Sequence, residues 1–340
     1  MKRVMALAVM VAMAAGVAMA QATGPWSVVK TAKVGGEGGY DHIALDASAR
    51  RLYVPRIGPT GRISVFNADT LEPVGEIAGV IAHSVALDAA SGHGFAGSKP
   101  VAMWDTTTLK LIQKIDVQGG PDNILADGGR VYVLGHETPQ VTVLNAKDGS
   151  IAGTVNVEGG PEQGVSDGKN LYIVLEDAGA IAVVDEQTLK VTRTLSLEGK
   201  GGGCTGLALD AKKGVLFATC REPKAMVMVR VSDGKVLGSL PIGAGTDCAD
   251  FDATTGEAFS ANAEGTLTVV KADAAGTYAV EQVLTTKPRA RTTALDAKAG
   301  KIYTVTADFT PPPANAPKVN GRPPRPTMVP DTFSIMVLGR

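Results

Sequence analysis

The stretch GGYDHIALD, residues 38–46, places Asp41 and His42 directly ahead of an alternating apolar run that closes on Asp46. A terminal aspartate of this kind, or its counterpart, returns at Asp88, Asp127, Asp167, Asp210, Asp252 and Asp296. Five places before each stand Asp41, His83, Asp122, Glu162, Thr205, Asp247 and Arg291, of which six ionise and four are carboxylates. One step on come His42, Ser84, Asn123, Gln163, Gly206, Cys248 and Thr292, again mostly polar. Carboxylates gathered at one opening repel each other, so either their pKa values rise or a cation joins them. His42 and His83 add nitrogen ligands or a proton shuttle. The chemistry such a set supports is capture of a divalent cation, or of a small polar ligand carrying positive charge. Arg291 would instead neutralise the set and leave a structural network.

Whether these residues meet depends on the elements that carry them. Successive terminal aspartates are 42, 39, 40, 43, 42 and 44 residues apart. After each comes a short strand pattern such as RLYVP, RVYVLG or NLYIVL, then a second such as GRISVFNADTLE or AIAVVDEQTLK, then a third such as LIQKIDVQGG. Short alternating runs with Gly, Asp and Asn turns at even spacing predict an all-β fold. Four strands per repeat of about 40 residues is the arithmetic of a β-propeller blade. The seventh repeat supplies only three strands before Arg340, and WSVVKTAKVGG at 26–36 resembles the missing outer one. The expectation is therefore a seven-bladed, antiparallel propeller closed by its N-terminal strand, which removes an exposed edge.

The phrases LDASARRLYVPRIGPTGRISVFNADTLEPVGEI and DGKNLYIVLEDAGAIAVVDEQTLKVTRTLSL resemble the repeats of the YVTN-repeat, YncE-like β-propellers of exported bacterial proteins. The resemblance covers essentially the whole chain after its leader. It implies the fold, and a range of roles: single-stranded DNA binding, surface-layer assembly, support of cofactor-dependent oxidation, and streptogramin lysis among relatives. A shared fold does not by itself specify a reaction.

On a propeller, the loops entering each inner strand share one rim with the loops joining second and third strands. The latter add Arg56, Lys99, His136, Glu137, Glu176, Asp177, Arg221, Glu222 and Asn262. The proline-rich segment at 311–330 is far longer than the usual connection, and a lid presenting Arg322 and Arg325 is one role for it. His93, in SGHGF, falls in a turn on the opposite face.

The ends and composition bound the rest. Lys2 and Arg3, an apolar run and Ala18-Met19-Ala20 read as a signal peptide over 1–20, cleaved after Ala20, hence a periplasmic or secreted protein. The run is somewhat short for a membrane anchor and has no stop-transfer flank. The remainder, 21–340, reads as a single propeller domain, expected to be a monomer. Without Lys2 and Arg3 the chain has 31 basic and 34 acidic side chains, which opposes nucleic-acid binding, as do aromatics at only 4%. Cys204 and Cys220 flank TGLALDAKKGVLFAT symmetrically, so a hairpin turning at DAKKG would bring them together as a disulfide and leave Cys248 as a buried apolar residue. No CxxCH, GxSxG or HExxH is present, and two tryptophans are too few for the tryptophan-docked quinone dehydrogenase propellers. The expected role is a binding or scaffold protein for a ligand, cation or partner protein. The alternative is a metal-assisted lyase or lactone hydrolase at the same rim.

Overall fold

The structure, a computed structural model, describes residues 24–313, 315, 317, 324 and 326–340; the expected signal peptide, Arg322 and Arg325 lie outside the described residues. Seven four-stranded antiparallel sheets form a β-propeller, and no helix occurs among the described residues. No helix of the described residues is long and apolar enough to cross a membrane. The first blade runs Ala44–Asp46, Arg51–Arg56, Arg62–Asn67 and Pro73–Ala78 from the channel outward. The inner strands of the next five are Ala82–Asp88, Pro121–Asp127, Pro161–Ser166, Cys204–Asp210 and Thr246–Asp252, and Thr293–Asp296 opens the seventh.

Six of the seven repeating aspartates have a local cause, capping the turn after the inner strand, whereas Asp127 accepts from Ser166 Oγ of the next blade. Asp46 Oδ1 accepts from the amides of Ser48 and Ala49, Asp167 Oδ1 from Lys169 and Asn170, and Asp210 Oδ1 from Lys213. Side chains that mimic a backbone turn in this way favour the hairpin that follows. The second strands then read as continuous apolar runs because neighbouring blades cover both of their faces. Leu52, Tyr53 and Val54 are fully buried, as are Leu171, Ile173 and Val174. The core is accordingly divided among the seven seams between blades. One cluster joins Val174 and Val183 of blade four to Leu207, Leu216 and Val227 of blade five.

The ring closes as expected from the incomplete seventh repeat. Ser27–Lys33 pairs antiparallel with Ser334–Gly339, from Ser27 opposite Gly339 to Lys33 opposite Ser334. Trp26 secures that strand against blade six: its Nε1 donates to Glu257 Oε2 at 3.1 Å, and its backbone exchanges two hydrogen bonds with the Gln282 amide. Glu257 also receives Arg340, so one carboxylate holds both ends of the described chain.

Arg56 is buried in the seam of blades seven and one instead of standing on the rim. It lies 3.7 Å over the Phe333 ring and donates to the carbonyls of Gly35, Gly36 and Gly38. Burial, with Arg62 nearby, holds its pKa down to about 10.

The predicted hairpin also forms. Cys204 lies directly opposite Cys220, and the two are joined in a disulfide. The twist needed is supplied by a bulge between Cys204 and Gly206. Cys248 is free and buried.

Candidate functional site

A recurring bulge places the rim residues. In blades two, three, four, five and six the inner-strand register slips between Ala82 and Ser84, Pro121 and Asn123, Pro161 and Gly164, Cys204 and Gly206, and Thr246 and Cys248. The skipped residue is the ring position each time, with Gln163 skipped beside Glu162. A bulged residue leaves the ladder and its side chain is re-aimed. In blades one and seven the inner strands begin later, and Asp41 and Arg291 stand on the loops leading into them.

The result is a funnel of about 1050 Å³ lined by Asp41, His42, His83, Asp122, Glu162, Asp247 and Arg291, together with His136, Glu176, Asp177, Arg221 and Glu222 from the outer loops. All seven residues expected from the ring and its next step as ligand-binding candidates therefore share one cavity. Thr205 does not join them; it is buried and donates to the Thr246 carbonyl of the next blade. Asn262 is also withdrawn, its amide donating to the Thr266 carbonyl and neighbouring oxygens. Lys99 and Glu137 form an exposed pair at 3.3 Å outside the funnel lining. His93 accordingly stays off the site, its Nδ1 2.9 Å from the Ala146 carbonyl of the next blade.

The funnel also takes Arg289 and Pro326, which the periodic reading missed. Arg289 sits between repeat landmarks and stacks 4.3 Å over Phe309, so only the fold brings it inward. Pro326 lies in the proline-rich segment, whose flanks pair as a short ladder of Phe309–Thr310 with Thr327–Met328.

Charge is unevenly distributed around the funnel. On one side Arg221 Nη2 binds Asp247 Oδ1 at 2.6 Å and its Nη1 binds Glu176 Oε1 at 3.2 Å. Arg291 Nε lies 3.1 Å from Asp247 Oδ2, and its Nη2 3.4 Å from Asp41 Oδ1. On the other side the partners are imidazoles. His83 Nδ1 is 2.9 Å from Asp41 Oδ2 and 3.4 Å from Asp122 Oδ1, and His136 Nδ1 is 3.3 Å from Glu162 Oε1.

The protonation states follow this layout. The hydrogen bond to Asp41 raises the His83 pKa against the effect of burial. Burial works to raise Asp41, but the bond from His83 and the charges of His42 and Arg291 bring it below the usual value. Glu162 is pushed up to about 9 by burial first, then by Asp122, Glu176 and Asp247.

Below the funnel the next layer mostly locks blade to blade. Ser84 Oγ donates to the Asp122 carbonyl at 2.6 Å, and Thr292 Oγ1 to the Asp41 carbonyl at 3.0 Å. Gln163 reaches across the channel: its Nε2 donates to the Ala249 carbonyl, and its Oε1 accepts from the amides of Leu207 and Ala249. His42 borders both the funnel and the narrower bore beneath it.

No family model matches this chain, and no curated protein matches it. Among solved structures 1665 chains match. One belongs to the "Crystal Structure of Mitotic Checkpoint Complex", with a TM-score of 0.70 and 12% identity, covering 89% of this chain and 95% of that one. At that identity the likeness shows the propeller fold alone.

Proposed function

We propose that this protein is an exported binding module of the YVTN-repeat type, one propeller domain over 21–340, whose funnel captures a small ligand through positive charge or a metal ion. The observation that carries this reading is the charge balance of the funnel. Seven carboxyl groups face three guanidinium groups, and the guanidinium groups compensate mainly Asp41, Glu176 and Asp247. Asp122 and Glu162 have only imidazoles within ion-pair distance among the described residues. Clustered carboxylates in a concave, partly desolvated site favour an incoming cation. A polar cavity on rigid strands, with few large apolar walls, suits selection by charge.

The test is a thermal-shift and dialysis comparison on the mature protein with spermidine, divalent metal ions and citrate. Cations should raise the melting temperature and be retained, and citrate should do neither. Retention of citrate alone would refute the reading. Export is tested separately by sequencing the N-terminus of protein from a periplasmic fraction, expected to begin at Gln21. The disulfide favours an oxidising compartment, since such bonds persist there and are rare in the cytosol.

One observation favours catalysis as a second reading. Asp41 holds Nδ1 of His83 and no described residue bonds its Nε2, the arrangement of an oriented general base. A lyase or lactone hydrolase acting at this rim would lose turnover, and keep ligand affinity, on His83→Gln.

A further inference from the structure

The histidine side of the funnel has a finer order than a diffuse negative patch. Three side-chain trios bring one potential ligand atom each within 4.8 Å of the others: Asp41, His42 and Asp247; Asp41, His83 and Asp122; Asp122, His136 and Glu162. The first is already neutralised, because Asp247 lies between Arg221 and Arg291 and Asp41 also meets Arg291. The other two have no guanidinium on Asp122 or Glu162, and they share Asp122. We propose that the wall formed by blades one to four holds two divalent transition-metal ions of the zinc or manganese class side by side, with Asp122 as their common ligand, Asp41 and His83 completing one centre, and His136 and Glu162 the other.

Geometry supports this first. An ion with bonds of about 2.0–2.2 Å spaces adjacent ligand atoms about 2.9–3.5 Å apart. The His83 Nδ1 separations from Asp41 and Asp122 are 2.9 and 3.4 Å, and that of His136 Nδ1 from Glu162 is 3.3 Å. These separations fit the edges of a coordination polyhedron, and the remaining ligand atoms of each trio lie within 4.8 Å. Asp122 has two oxygens, so one can serve each ion, as bridging carboxylates do in two-metal sites.

A second, independent observation is Glu162 itself. It is only 7% exposed, borders the funnel, and has a single ion-pair neighbour besides other acids, the half-exposed His136. A buried carboxyl group without a guanidinium, ammonium or hydroxyl partner is costly unless something occupies the space in front of it.

Donor chemistry selects the metal class. One imidazole with two carboxylates suits zinc or manganese, whereas calcium and magnesium prefer all-oxygen shells. Three protein ligands per ion leave coordination positions facing the funnel, the open arrangement of sites that engage a further molecule. This proposal rests on the cation-capture reading and specifies the chemistry of that same site.

The experiment uses the mature chain, stripped with chelator, dialysed against Zn²⁺ and separately Mn²⁺, and assayed for bound metal by mass spectrometry. Two ions per chain are expected with at least one of these metals. His83→Ala and His136→Ala should each retain one, and Asp122→Ala should weaken both by at least tenfold. His93→Ala, on the opposite face, should retain two. Glu162→Gln, a near-isosteric change, provides a second probe of the His136 centre and should also lower the count to one. Circular dichroism melts establish that each variant is folded before its count is read. Binding of neither metal, or counts unchanged in the folded histidine and Asp122 variants, would overturn the two-ion site. Spermidine binding to the metal-free protein then separates the readings: retained spermidine without metal sinks only the two-ion proposal, and loss of both sinks cation capture as well.

Discussion

At the residue scale, chemical type is secondary to which partner each side chain acquires. Asp41, Asp122, Glu162 and Asp247 occupy equivalent places in their repeats, yet their electrostatic surroundings differ. Two arginines bracket Asp247, while Glu162 faces other acids and is pushed up to about 9. Asp250 offers a direct test of burial. It borders the bore beneath the funnel, accepts a 2.5 Å hydrogen bond from Thr293 Oγ1, and has a pKa raised by burial in spite of that bond. The native chain therefore holds a proton that the unfolded chain has already released. Stability from this group is fully present below the unfolded value and falls as pH rises through the folded one. Asp250→Asn keeps an acceptor for Thr293 and removes the ionisation penalty. It should raise the melting temperature at pH 7 by about 1–2 °C, the effect of about 1 kcal/mol in a domain of this size. The gain should vanish near pH 3, and melting curves across pH would check both.

At the element scale, the repeating bulge makes a rim out of ordinary strands. Without it, period-two alternation would keep His83 or Asp122 within a ladder, on one or other face of a blade. The bulge at Cys204 also accommodates the disulfide. Residues 204 and 220 already face each other across a hairpin, and the bond closes a loop with a sequence separation of 16. A loop of that length corresponds to about 3 kcal/mol of lost unfolded-chain entropy. Cys204→Ala with Cys220→Ala should lower unfolding stability by about 2–4 kcal/mol in denaturant titrations. The far-UV spectrum should be unchanged, because the strands remain paired by their backbone hydrogen bonds. An unchanged midpoint would show that the bond contributes nothing to the fold.

At the scale of the whole molecule, the seven seams make the ring interdependent. Each blade's second strand is covered by its neighbours, so opening one seam exposes apolar area in two blades. The weakest place by covalent logic is blade seven, where the first and last described strands meet non-covalently. Deleting residues 24–33 removes Trp26 from its seam and bares the edge of Ser334–Gly339. An unpaired edge strand recruits other chains. The truncated protein should elute as concentration-dependent oligomers and melt well below the intact one, as read by light scattering and calorimetry. A monomer with the original melting temperature would contradict closure by this strand.

The blade count, the borrowed strand, the hairpin disulfide and the ring positions were all legible in the sequence. Each follows from local rules repeated at a fixed period: turn-capping aspartates, strand alternation, and a register that returns every 39–44 residues. Local rules act over a few residues, so a linear pattern expresses them. Other features depend on distances across the channel, for which no local pattern exists. Thr205 has the same repeat position as His83 but turns to the next blade, Arg289 enters from an unmarked loop, and Gln163 bridges to Ala249 eighty-six residues away. The division of the rim into an arginine side and a histidine side is of this second kind. Sequence set which groups stand around the opening; only the closed ring decided which of them meet, because those contacts join blades that the chain itself keeps apart.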